Sequence, residues 1–132
     1  MDAATFVKTA RAAPDEKSRK QFIRQRLPDV DIDELEAEMV ETIERWGWHP
    51  GTLMTAVRLL QIVPIESILH AVMRLLREPA TYPRLHAQIT AQLVALRMRD
   101  PRLEAAAQRF TAPKRAVVKV VTKTKPKAKR ET

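Results

Sequence analysis

Eight basic residues near the end of the chain have the types and spacing to bind a polyanion. They are Lys114, Arg115, Lys119, Lys123, Lys125, Lys127, Lys129 and Arg130, with Glu131 as the single acid, so residues 113–132 carry a formal charge of +7. Pro, Ala, Thr and Val fill the gaps. Lysines strung along one segment displace the counterions condensed on nucleic acid, which gives affinity without sequence preference. A second basic group falls within one segment near the start: Lys17, Arg19, Lys20, Arg24 and Arg26, with Gln21 and Gln25 between them. On a helix this reads as an outer face able to contact phosphates. The competing reading is a solvated face paired with the acidic segment that follows.

Catalytic chemistry is poorly served. The chain has no cysteine, hence no thiolate nucleophile and no disulfide framework, and its two glycines, Gly47 and Gly51, cannot build a glycine-rich phosphate loop. His49, His70 and His86 are scattered, and none stands in a metal-ligand pair or a nucleophile motif. His70, in one segment with Val72 and Met73, is free to face outward. Asp29, Asp31 and Asp33 imitate the start of a calcium loop, but Glu34 replaces the sixth-position glycine and Val40 the twelfth-position glutamate. Capping a helix suits them better. The expectation is therefore a non-enzymatic protein with no catalytic residue, metal, cofactor or small-molecule substrate.

Trp46 and Trp48 flank Gly47. Large aromatics are mostly buried, and Trp46 continues an apolar stripe, so it is expected in the core. Trp48 either covers a helix end or serves as a partner-binding residue. A helix-turn-helix outline over residues 33–62 is set aside. Its second helix is too apolar to read bases, and its first is too acidic to cross a phosphate backbone.

Charge divides the chain in two. Residues 1–112 hold 16 Lys and Arg against 15 Asp and Glu, so the strongly basic balance belongs to the final segment. That segment cannot bury enough apolar surface to offset its ordering entropy and is expected to be disordered when unbound. Its composition is similar to the Lys/Ala/Pro-rich extensions of linker histones and of some bacterial histone-like proteins. No motif aligns, and no family is assigned on that likeness. A solubility tail, an import signal in "KPKAKR" and an anionic membrane surface are the other readings. High Ala and Arg content leans toward a bacterial or phage source.

These groups need a scaffold, and the stretch Pro50–Glu78 is its centre: 16 of its 29 residues are apolar. Two buried helices are expected to meet at Pro64, with the proline in the first turn of the second. Before them, residues 2–12 predict a short helix with Phe6, Val7 and Ala10 inward. Residues 14–28 predict another, burying Phe22, Ile23 and Leu27. Residues 29–44 carry eight acids and no base, with Asp31 or Asp33 as the cap and Leu35, Met39, Ile43 and Trp46 as the stripe. Further on, Thr81 is expected to cap a helix striped by Leu85, Ile89, Leu93 and Leu96. Ala87, Ala91 and Ala95 there are expected to allow close helix contacts. Asp100 caps the last helix, which opens on Pro101 and runs to about Phe110. Prolines 14, 28 and 50 recur as 64, 79 and 101, offset by 50 or 51 residues, which suggests two pseudo-repeated three-helix units.

The expected architecture is all-α: a compact bundle of about six to seven short helices over residues 1–112, followed by a disordered basic tail over 113–132. No apolar run approaches the roughly 20 residues of a membrane span, and the N-terminus has no secretory segment. The expected function is sequence-neutral binding of DNA or RNA through the tail, with the body mediating self-association or partner binding. The alternative is a protein-interaction or assembly module whose tail binds an acidic protein surface. Location is expected to be cytoplasmic, nucleoid-associated if the source is bacterial.

Overall fold

The computed structural model describes residues 1–78 and 81–111. These form seven α-helices: α1 (Ala3–Arg11), α2 (Glu16–Arg26), α3 (Ile32–Trp46), α4 (Pro50–Ile62), α5 (Glu66–Leu76), α6 (Pro83–Arg99) and α7 (Pro101–Thr111). A 3₁₀ turn, Leu27–Asp29, joins α2 to α3. No strand occurs among the described residues.

Acids at the helix starts satisfy backbone N–H groups that have no partner within the helix. Asp2 accepts from Thr5 N at 2.8 Å, Asp15 from Ser18 N at 2.7 Å and Asp31 from Glu34 N at 3.0 Å. Asp31, not Asp33, is thus the α3 cap. These hydrogen bonds hold the Asp2 and Asp15 carboxyls below the ordinary aspartate value. Helices of 9–17 residues are marginal alone in water, so packing decides whether they persist.

Helix α4 takes a larger share of that packing than any other helix. It lies against α1, α2, α3, α5 and α6, and nine of its 13 residues are buried. Its two buried threonines are satisfied: Thr55 Oγ1 donates to Gly51 O at 2.7 Å, and Thr52 Oγ1 accepts from Arg11 Nε at 2.8 Å. Gly51 is required by close approach, because a Cβ there would lie 2.4 Å from the Arg11 carbonyl oxygen. Phe6, Val7 and Ala10 reach this core from α1, Leu35, Met39 and Ile43 from α3, and Ile89, Leu93 and Leu96 from α6.

Several expectations need correction. Pro64 stands outside α5, ahead of its N-cap Ile65. Thr81 is not a cap: Tyr82 precedes α6 and makes no side-chain capping bond. Ala87, Ala91 and Ala95 face solvent, because α6 packs on α4 and α7 through its leucine–isoleucine stripe. Trp46 is 51% exposed, since it sits at the end of α3 beyond the reach of the core, with the Arg11 guanidinium 5.6 Å from its ring centre. His70 faces α7 rather than solvent, with Nε2 2.8 Å from Ala106 O.

The helix packing repeats with a step of three. Where α1 packs on α2 and α3, α4 packs on α5 and α6. Where α2 and α3 pack on α4, α5 and α6 pack on α7. An ion pair recurs in the same register. Arg58 Nε on α4 lies 3.3 Å from Glu16 at the start of α2, and Arg109 Nη2 on α7 lies 2.7 Å from Glu66 at the start of α5. Met39 and Ile43 share burial with Ile89 and Leu93, fifty residues on. Trp46 breaks the correspondence, because its counterpart Leu96 is buried.

Candidate nucleic-acid interface

The basic residues of α2 do not act as one group. Arg19 is 6% exposed, contrary to the expectation of an outward face. Its Nε donates to Ala10 O at 2.9 Å, its Nη2 reaches Arg11 O at 3.4 Å and Ala13 O at 3.3 Å, and its Nη1 pairs with Glu16. These are the last carbonyls of α1 and the turn after it, which lack partners within the helix. Arg19 therefore ties α2 to the end of α1 and has little left to offer a ligand. Arg26 is exposed but stands 3.7 Å from Asp29.

Lys17, Lys20 and Arg24 remain. They occupy positions i, i+3 and i+7, so they share one helix face. All three are exposed and have no acidic partner among the described residues. They do not pair with acidic α3 as the competing reading required, since α2 packs on α1 and α4 while α3 packs on α1, α4 and α5. With Gln21, Gln25, Glu16 and Arg58 they line a shallow hollow of about 650 Å³.

A second hollow, about 680 Å³, adjoins the first and shares Lys20 and Arg24 with it. Its other wall is the elbow between α6 and α7, which brings Arg99 and Arg102. Leu60 and Gln61, at the end of α4, line it between the walls. The elbow is braced. Arg97 makes a two-pronged bond to Glu104, at 2.8 and 3.3 Å, and Asp100 accepts from Arg102 N at 2.9 Å. Those bonds hold the Glu104 carboxyl, chiefly through Arg97, and the Asp100 carboxyl, chiefly through the Arg102 N–H, below their ordinary values. Arg102 also lies 3.4 Å from Asp100, while Arg99 has no acidic partner among the described residues. The start of α7 adds the positive end of its helix dipole.

Sequence reading missed Arg99 and Arg102. They stand some 75 residues beyond Arg24 and belong to no basic run. The available signal was local: Arg97, Arg99 and Arg102 around a helix stop at Asp100 and Pro101. The expected tail contacts Lys114, Arg115, Lys119, Lys123, Lys125, Lys127, Lys129 and Arg130 lie outside the described residues.

Trp48 occupies a different place. Its ring stacks on His86 at 5.9 Å and tilts against Tyr82 at 6.2 Å, and with Pro50 and Pro83 it lines a largely apolar groove of about 700 Å³. His86 Nε2 lies 2.8 Å from Leu76 O, and His49 Nδ1 accepts from Gly51 N at 3.1 Å. All three histidines are thus held by backbone contacts. Among the described residues, no group of three His, Cys, Asp or Glu is arranged to hold a metal ion, and no helix is long and apolar enough to cross a membrane. Comparison of the chain with known protein families, with curated proteins and with solved structures finds no match.

Proposed function

We propose that this is a non-enzymatic protein that binds nucleic acid without strong sequence preference. In this reading the cationic segment 113–132 supplies most of the affinity, and the α2 face of Lys17, Lys20 and Arg24 seats the helical body on the phosphates. The helical body also mediates self-association or the docking of a partner. The observation that carries the reading is the α2 face itself: three cations at helical spacing, exposed and with no acidic partner among the described residues. Unneutralised cations gathered on one rigid helix suit a ligand that brings regularly spaced negative charge.

The test is fluorescence anisotropy of a labelled duplex of about 20 base pairs across a salt series, using the full chain. Changing the eight tail cations to Gln should remove most binding. Of the wild-type slope of log K against log salt, about −7 should come from the tail if all eight of its cations contact phosphates, and contacts from the α2 face should steepen it further. Absence of wild-type binding near 0.1 M salt, roughly the range where such contacts operate, would overturn the reading.

The second reading, an assembly module, is favoured by the Trp48 groove. Tyr82 is half exposed there, and the half-buried Trp48 lines the groove beside it. In that case the tail binds an acidic protein surface, and Trp48→Ala abolishes partner binding while leaving the duplex titration unchanged.

A further inference from the structure

We propose that the cleft between α2 and the α6–α7 elbow grips the phosphodiester backbone of double-stranded nucleic acid, Lys20 and Arg24 from one wall and Arg99 and Arg102 from the other. The proposal rests on the nucleic-acid reading above and narrows it to a ligand class and a place.

Three observations lead to it. First, elements far apart in sequence bring four cations to one cleft, with Asp100 as the single acid lining it. Asp100 is engaged with the Arg102 backbone N–H. Like charges gathered this way repel one another unless an anion sits between them. Second, the elbow is fixed by the Arg97–Glu104 pair and the Asp100 cap, so the far wall is in place before any ligand arrives. Third, no aromatic ring lines the cleft. Among the described residues the rings are engaged elsewhere: Phe6 with Phe22, Trp46 with Arg11, Trp48 with Tyr82 and His86, Phe110 with His70 and Arg77. Single strands are held by stacking their bases on such rings. A cleft with cationic walls and no ring suits a ligand whose bases stay stacked inside a duplex. Its volume, about 680 Å³, is ample for a run of backbone rather than one phosphate group.

The internal repeat adds a fourth argument. Fifty residues after Lys17, Lys20 and Arg24 stand Ser67, His70 and Arg74 on α5. There the protein itself supplies the partners: Glu36 for Ser67, Ala106 O for His70, Glu44 for Arg74. The α2 face is the same face with no internal partner.

The experiment is a duplex titration over a salt series with the full chain, alongside the single strand of equal length and inorganic tripolyphosphate as competitor. The double variant Arg99→Gln/Arg102→Gln keeps the backbone N–H that caps at Asp100. It should bind the duplex more weakly and flatten the log K against log salt slope by about 2, one unit per lost phosphate contact. Arg99→Lys/Arg102→Lys should keep the wild-type slope. Arg45→Gln/Arg84→Gln, which removes two cations elsewhere, should change the slope by less than half as much. Circular dichroism confirms that each variant is folded. If wild type binds the duplex but the Arg99/Arg102 variant matches it, the cleft proposal fails and the tail reading stands. If the Arg45/Arg84 variant loses as much, only net charge matters and the cleft proposal fails. Tighter binding of the single strand, or displacement by tripolyphosphate at equal charge, overturns the duplex assignment. If wild type binds no nucleic acid, the underlying reading fails as well.

Discussion

Helices α2 and α5 hold equivalent places in the packing pattern, yet they meet different surroundings. Each opens on a glutamate that takes an arginine from the helix two further on, Glu16 from Arg58 and Glu66 from Arg109. Helix α5 then lies against α3, with Leu75 close against Gly47 and the buried Ala71 four residues before it on the same helix face. Helix α2 has no such neighbour, and the same positions are Gln21 and Gln25. One scaffold thus carries a face built for packing and a face built for water and charge. An apolar α2 face would need covering by protein. A cationic one is stable alone and available to an anion.

The largest expected effect tests whether the halves are equivalent in their cores. Met39 and Ile89 are fifty residues apart and both fully buried. Truncating either to alanine should cost about 2–5 kcal/mol, and the two costs should agree to within about 1–2 kcal/mol. Chemical denaturation measures both. A cost near zero at one position would mean that half does not share the core.

Arg19 marks where the halves part, since α2 needs an anchor that α5 obtains by packing. Arg19→Ala should destabilise by about 2–3 kcal/mol, because the carbonyls at the end of α1 lose charged donors. Lys20→Ala, one residue on and exposed, should be near neutral. Equal effects would show that Arg19 is not the anchor.

The repeated ion pair gives the smallest effect and the finest comparison. The Arg58 side chain is 14% exposed and that of Arg109 60%, so Arg58→Met should cost about 1 kcal/mol and Arg109→Met less. Arg109 holds the Glu66 carboxyl below its ordinary value of 4.5, so the fold favours the charged form. That contribution is complete above pH 4.5 and is lost as pH falls through the lowered value. Thermal melts of wild type and Arg109→Met should therefore converge in acid. A constant difference down to the lowest pH would rule out the pair as its source.

Much of the fold was legible in the chain. Phe6, Val7 and Ala10, Leu35, Met39 and Ile43, and Ile89, Leu93 and Leu96 repeat at helical spacing, and Asp31 and Asp100 stand where helices begin. These features depend on residues a few positions apart, so the sequence contains both partners. The errors share the opposite cause. Trp46 looked like core because its stripe was core, but a stripe does not say where the covering helix stops. Ala87, Ala91 and Ala95 looked like contact residues, but small size permits close packing without requiring a neighbour. Arg19 looked like its basic neighbours, because nothing local reveals that three carbonyls from the preceding helix and turn converge on its guanidinium.

The sequence by itself determined the helical class, most helix boundaries, some of the caps and the split between a near-neutral body and a basic end. Periodicity, capping chemistry and charge counts are one-dimensional properties. Only the tertiary structure decided which cations are available. It withdrew Arg19 into the body, left Lys20 and Arg24 open, and set Arg99 and Arg102 opposite them across α4. The physical reason is that a charge becomes a site only through what surrounds it, and those surroundings are assembled from residues far apart along the chain.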